Sequence, residues 1–299
     1  MSQDAVLQVA GGPSVRIRER QAVLSRLGAL AVPGSAFLAL FFLAPLCYLL
    51  ALSLHPGGSM GRLDPEWSLV NYQRFLTDTY YLGILWDTGV FGASTALICA
   101  VLAFPFSYKL ARMKGPWRTP LLFITVLPLL ISAVIRNLGW IPVLSERGVL
   151  NQILQALGLR AWHVDWIYNY TGALIGMVHV ELPFMVLMLM AVIRKIDPAL
   201  EEAAINLGAA PWQVFLKVIL PLSRPGLMAG VLMVFMASIS ALVTPAILGG
   251  KRVMLMALYI DQQMRGLLNY PVGATAAVLT LVAASLAMLL ALKLGRSRV

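Results

Sequence analysis

The sequence predicts an all-α membrane protein with six transmembrane helices and both termini in the cytoplasm. Three observations predict it. Only 12% of the 299 residues are charged while 60% are hydrophobic, with a mean hydropathy of +0.82, whereas soluble globular domains carry about 25% charged residues. Six stretches stay apolar over the roughly 20 residues that a helix needs to cross the hydrocarbon core: 29–54, 84–108, 119–143, 171–193, 219–247 and 272–293. Finally, Lys and Arg alternate between rich and poor connecting segments, 15 against 7, and the richer side of a bilayer protein is cytoplasmic.

Each element follows in order. Residues 1–28 form a polar cytoplasmic arm carrying Arg16, Arg18, Arg20 and Arg26. The apolar run behind it, 29–54, lies too deep, is too long and lacks the small-residue cleavage site of a signal peptide, so it stays as the first span. The other basic inner segments hold Lys109, Arg112, Lys114 and Arg118, then Arg194, Lys195, Lys217 and Arg224, then Lys293, Arg296 and Arg298. The outer segments carry Arg62, Arg74, Arg147, Arg160, Lys251, Arg252 and Arg265, and Arg136 falls inside a span. The net charge of +10 is therefore a topology signal and not a nucleic-acid footprint. The outer loops, 55–83, 144–170 and 249–271, hold Trp67, Trp162, Trp166, Tyr168 and Tyr170, which suit an interfacial aromatic belt; a docking surface for an external protein is a second role for some of them. Cys47 and Cys99 sit in apolar runs and read as packing residues, not a disulfide. No His/Cys cluster has metal-ligand spacing, no Ser/His/Asp pattern is present, and no GxxxxGK[ST] phosphate loop occurs.

Between spans four and five lies a half-polar insert, DPALEEAAINLGAAPWQVFLKVILPLSRPGLMAG, residues 197–230. Asp197 is a good N-cap, Pro198 fits the first helical position, Glu201 and Glu202 favour the positive end of the helix dipole, and Gly208 is a natural stop. The predicted helix of about ten residues is only ~15 Å long, too short to cross a bilayer. Leu200, Ala203, Ala204 and Leu207 share one face, expected to pack beneath the spans, with Glu202 and Asn206 opposite. A second helix starts at Pro211, and Pro221 with Pro225-Gly226 breaks the chain where it re-enters the membrane. An amphipathic pair lying on lipid headgroups is one reading. The first helix, however, has two acids and no base to attract anionic lipid, which favours a protein partner.

Glu202-Ala203-Ala204, three residues, then Gly208-Ala209, with Leu220-Pro221 and Pro225-Gly226 downstream, resembles the EAA loop of binding-protein-dependent ABC importer permeases. The resemblance implies a type I importer permease fold, with a five-helix core over 84–293 and span 29–54 added in front. It implies that the loop at 197–226 is a coupling helix docked in a cytoplasmic ATPase subunit, Glu202 touching that subunit and Gly208 supplying the bend. The ATPase-coupling set is then Glu201, Glu202, Ala203, Ala204, Gly208, Ala209, Pro221, Pro225 and Gly226. Phe104-Pro105-Phe106 with Tyr108-Lys109-Leu110-Ala111 resembles the inner end of the family's first core helix. Ile135-Arg136-Asn137-Leu138-Gly139-Trp140, Gly148-Val149-Leu150-Asn151, Val243-Thr244-Pro245 and Leu248-Gly249-Gly250 are similar to the polyamine branch. The partners implied are a second homologous permease (a heterodimer), two copies of the ATPase and an extracytoplasmic solute-binding protein, in a bacterial inner membrane. ATP and Mg2+ would belong to the ATPase, with no cofactor and no catalysis on this chain.

Ionisable groups at membrane depth cost about 2.5–3.5 kcal/mol or more and normally face a cavity or a partner. Arg136 and Glu181 are the clearest, with Asp87 and His179 nearer the outer surface. Two readings stay open: an Arg136–Glu181 pair that locks spans three and four, or a path for a cationic solute lined by Asp87, Arg136, Trp140, His179, Glu181 and Thr244. Trp140 could hold an ammonium by cation–π attraction, and His179 alone suits an interhelical hydrogen bond. Putrescine or spermidine is the expected solute. Alternatives are 4-aminobutyrate, 5-aminovalerate or an aminophosphonate in the same importer class, or a stand-alone secondary transporter, which often shows two related halves that are not visible here.

Overall fold

Helix is the only regular structure among the described residues, which in this computed structural model are 13–58, 62, 64–158 and 165–296, with side chains from Val32 on except 292 and 294–296. Arg160 and Trp162, and residues 1–12 of the polar arm, lie outside them. Residues up to Leu52 form one unit and those from Ser53 a second.

Helix α1 runs Pro13–Ser53, all but its last residue in the first unit, so the helix begins well before the apolar stretch. Its early turns, VRIRERQAVLSRL, are rich in residues that favour helix irrespective of hydropathy. The part apolar enough to cross a membrane is Val32–Ser53.

The second unit has α2 (Val70–Thr77), α3 (Thr79–Arg112), α4 (Arg118–Val126), α5 (Ala133–Leu144), α6 (Val149–Ala156) and α7 (Tyr170–Ile193). They are followed by α8 (Pro198–Asn206), α9 (Pro211–Val214), α10 (Leu220–Leu222), α11 (Arg224–Ile239), α12 (Met256–Asp261) and α13 (Tyr270–Arg296), with π-helical turns at 215–219, 245–249 and 262–266. Among the described residues four helices are long and apolar enough to cross a membrane, or six if each of two bent pairs is one span.

Two of the six expected spans are bent pairs. Where 119–143 was expected to run as one helix, Arg118–Leu130 and Ala133–Ala156 meet at 103°. Pro128 sits in a 3-10 turn, and Ile131 and Ser132 are extended, with ψ of 135° and 136°. In place of 219–247, Pro211–Leu222 and Arg224–Ile239 meet at 71°. The break falls at Ser223, between Pro221 and Pro225; a proline offers no N–H and clashes with the turn before it.

The core is the packing of α3, α7 and α11 on one another. Cys99, Ala103, Leu110, Met185, Leu189, Ile193 and Val234 fill it. Helices α3 and α7 run parallel in fixed register: Cys99 Sγ donates to Val178 O at 3.6 Å and Ser107 Oγ to Val186 O at 3.1 Å, both offset by 79 positions. Helix α11 approaches α7 closely because Gly226 and Gly230 face it. A Cβ on Gly226 would stand 2.7 Å from Val192 Cβ, and one on Gly230 2.6 Å from Met185 Sδ, the small-residue device of membrane helix packing.

Candidate functional site

Two constellations stand out: an elbow between α7 and α11, and a polar group inside the bundle.

The elbow is built as its local chemistry requires. Asp197 Oδ1 accepts from Ala199 N at 2.9 Å, and Pro198 takes the first position of α8. At the other end Gly208 adopts φ +88°, Gly208 N donates to Ile205 O at 2.9 Å, and Ala209 N to Ala204 O at 3.0 Å. This is the paired-bond stop that a left-handed glycine allows. The chain restarts at Pro211, where Gln213 Oε1 accepts from Ala210 N at 3.1 Å.

The faces of α8 differ from the amphipathic expectation. Leu200, Ala203 and Leu207, expected beneath the spans, are exposed, Leu207 to 89%. Glu202 and Asn206 are exposed as well. The residues turned inward are Glu201 and Ala204. What draws Glu201 inward is Arg112, whose Nη2 lies 2.6 Å from Glu201 Oε1, with both side chains largely covered at 20% and 12% exposure. Arg112 Nε donates to the same oxygen at 2.6 Å, and Tyr108 OH donates to Oε2 at 2.7 Å. Glu201 is thus an internal tie, and the acid left free to meet a partner is Glu202. Of the rest of the expected coupling set, Gly226 is buried against Val192, and Pro221 sits at the bend. Pro225 is exposed, and Ala209 is half-buried behind the stop. A shallow pocket of ~350 Å³ opens in the crook, lined by Ala204, Leu207, Gly208, Gln213 and Lys217 among others.

The polar group gathers around α5, α7 and the turn 245–249. Trp140 Nε1 donates to His179 Nδ1 at 3.1 Å, the rings meeting edge-on at 5.4 Å. His179 therefore carries its proton, when neutral, on Nε2. Asn137, fully buried, donates through Nδ2 to Thr244 Oγ1 at 2.9 Å and leaves Oδ1 without a partner. Gly176 lies between them, and a Cβ there would run into Leu248 and stand 3.0 Å from Thr244 Cγ2.

Arg136 and Glu181 do not pair: no ion pair joins them among the described residues, and Arg136 Nη1 donates instead to Pro128 O at 2.6 Å. Glu181, 4% exposed, leaves Oε2 buried without a partner. It follows His179 by two positions, so on a helix of 3.6 residues per turn the two side chains leave about 200° apart. Glu181 instead shares the stripe of Met177 and Met185, both buried. Asp87 is exposed and stands apart. By the α3–α7 register Glu181 is level with residue 102, about 22 Å along the axis from Asp87.

Sequence reasoning passed over Asn137, Arg112 and Gly176 as working parts. Arg112 had a signal: with Tyr108 it forms an i, i+4 pair at the end of an apolar helix, but a basic group there equally suits the helix dipole.

On the outer side, Trp166 Nε1 donates to Asn151 Oδ1 at 3.1 Å and Tyr168 N to Leu248 O at 2.8 Å. These bonds stitch the segment 165–169 to its neighbours, and Tyr168 is held at φ 59°.

Residues 95–298 match the family described as binding-protein-dependent transport system inner membrane component. The chain is 32% identical over 247 residues to the spermidine/putrescine transport system permease protein PotB of Escherichia coli (strain K12), covering 82% of this chain and 90% of that protein. PotB of Haemophilus influenzae is 32% identical over 244 residues, covering 81% and 85%. Among solved structures, a bacterial ABC transporter involved in the import of the acidic polysaccharide alginate matches with a TM-score of 0.74 over 95% of this chain and 99% of that one, at 19% identity.

Proposed function

The chain belongs to the binding-protein-dependent transport system inner membrane components, and we propose that it is a permease subunit of an importer for putrescine or spermidine. As a family member it is a multi-helix permease subunit of an ABC importer in the bacterial inner membrane. That membership sets aside the stand-alone secondary transporter. The observation that carries the polyamine reading is the likeness to spermidine/putrescine permeases over 82% of the chain. 4-Aminobutyrate, 5-aminovalerate and aminophosphonates are the competing solutes.

In this reading residues 197–226 lie on the cytoplasmic side, with both termini. α8 is the coupling helix of a partner ATPase that binds ATP and Mg2+, and Glu202 is its point of contact. Support comes from the elbow itself: α8 is rigidly capped at both ends, and its exposed side presents one free carboxylate, Glu202. Trp140, His179 and Thr244 line the pathway beside one face of α7, with Arg136 at the bend and Asp87 toward the outer mouth, and Glu181 acts on the solute through its charge from the opposite, core-facing side of α7. A buried carboxylate such as Glu181 answers a cationic solute, since it is costly at that depth without a counter-charge. A second, homologous permease completes the pathway, and an extracytoplasmic binding protein delivers the solute.

The test is retention of the ATPase. The intact chain, purified in mild detergent from its native cells, should carry the ATPase with it. Glu202→Lys should insert normally and lose it, since truncating or reversing one partner of a desolvated charge contact costs about 2–5 kcal/mol. Retention by Glu202→Lys at the level of the intact chain would remove Glu202 from the interface.

A further inference from the structure

Residues Phe104, Tyr108 and Arg112 recur at four-residue spacing and so form one stripe at the C-terminal end of α3. Both arms of the elbow rest on this stripe. Phe215, in the second arm, packs edge-on against Phe104 at 4.9 Å and Tyr108 at 5.4 Å. Glu201, in the first arm, takes one hydrogen bond from Arg112 Nε on Oε1, which also lies 2.6 Å from Arg112 Nη2, and one from Tyr108 on Oε2. The same guanidinium reaches Ile196 O through Nη2 at 2.8 Å, holding the chain just ahead of α8.

We propose that Glu201 is a positioning residue: through Arg112 and Tyr108 it fastens the coupling helix to α3, so that a displacement imposed at the Glu202 face is delivered to the transmembrane bundle. The proposal rests on the reading of α8 as a coupling helix and adds the route by which its motion leaves the loop. Exposed ion pairs contribute little, but this one is largely covered and fixed by the planar Arg fork, which makes it directional. Neither charge needs the other to be tolerated where it stands. Glu201 lies in the first turn of α8 and Arg112 in the last turn of α3, each at the helix end its sign favours. What the pair adds is position. α3 in turn holds α7 in register through the Cys99 and Ser107 bonds, and α7 carries Gly176 and His179 of the polar group.

The experiment uses the full importer reconstituted in liposomes, with putrescine as the probe, and reads ATP hydrolysed per putrescine imported beside ATPase retention. Glu201→Gln and Arg112→Met should each keep the ATPase bound. Each should raise ATP consumed per putrescine by about tenfold, the loss expected for one charge-assisted contact. The double variant should be no worse than either single, because both remove the same tie. Exchanging the charges, Glu201→Arg with Arg112→Glu, should recover part of the coupling, which a packing defect would not allow.

Normal stoichiometry in Glu201→Gln, or strictly additive losses in the double variant, would overturn the proposal. Loss of the ATPase from Glu201→Gln to the extent seen for Glu202→Lys would also overturn it, by making Glu201 a contact residue. If the unaltered chain retains no ATPase, the coupling-helix reading fails first, and that failure is visible before any variant is made.

Discussion

Replacing Gly208 isolates a backbone effect, because a Cβ at that position would meet no described atom within 4 Å while the residue sits at φ +88°. Any cost of a side chain there comes from the left-handed conformation and not from a clash. For an ordinary L-residue that conformation costs about 1–2 kcal/mol, and for a β-branched one about 2–3 kcal/mol. Asn adopts it several-fold more readily than other non-glycine residues. Two bonds depend on the turn, Gly208 N to Ile205 O and Ala209 N to Ala204 O. The rest of the elbow is held independently by Glu201 and Phe215. Gly208→Asn, Gly208→Ala and Gly208→Val should therefore all insert and assemble, yet populate the elbow geometry progressively less. A penalty of about 1–2 kcal/mol reduces it by roughly 5–30-fold against competing conformations. Solute-stimulated ATP hydrolysis by the reconstituted importer is the assay, with Asn nearest the parent, Ala intermediate and Val lowest. Parental stimulation in Val, or Asn as damaging as Val, would refute the backbone argument, the second by pointing to steric contact with a partner.

Three further outcomes follow from the same geometry. Gly176→Ala should lower the thermal stability of the detergent-solubilised chain by about 1–3 kcal/mol, the usual cost of overpacking, because its methyl would run into buried Leu248 beside Thr244; an unchanged melting profile would mean that Leu248 moves aside freely. Glu181→Gln should leave the complex intact, since no ion pair to Arg136 is lost, and slow uptake of a dicationic solute by about tenfold given the cost of placing a cation at that depth without its counter-charge; disassembly would make Glu181 a structural residue. With Cys47 and Cys99 replaced, a cysteine at Met113 should be shielded from an impermeant external thiol reagent and one at Arg147 should react, the reverse labelling sinking the topology with both termini inside.

The apolar runs were legible because hydropathy is a local property, and so was the elbow. Asp197, Pro198, Gly208 and Pro211 each act within a few residues of themselves, and each acts in the structure as local capping chemistry predicts. Which side of α8 faces inward was not legible. Periodicity ranked Leu200 and Leu207 as the inward side, whereas a salt bridge to Arg112, 89 positions earlier, turns Glu201 in. The same limit hid Asn137, whose partner Thr244 lies 107 positions on. The bends at Ser132 and Ser223 were half visible: the prolines were noted at the second, while the first is set by Pro128 and two extended residues inside a run that hydropathy reads as continuous. Arg136 and Glu181 stand out in the sequence as charges inside apolar runs, but their spacing carries no sign of whether they meet.

The most direct measurement is solute uptake into liposomes containing this chain with its partner permease and ATPase, supplied with the binding protein and internal ATP. Labelled putrescine or spermidine should accumulate against its gradient only when ATP is present. Excess unlabelled polyamine should abolish the signal, 4-aminobutyrate should leave it unchanged, and Glu202→Lys should eliminate it. Uptake that persists without ATP, or that 4-aminobutyrate or an aminophosphonate competes away while polyamines do not, would contradict the account.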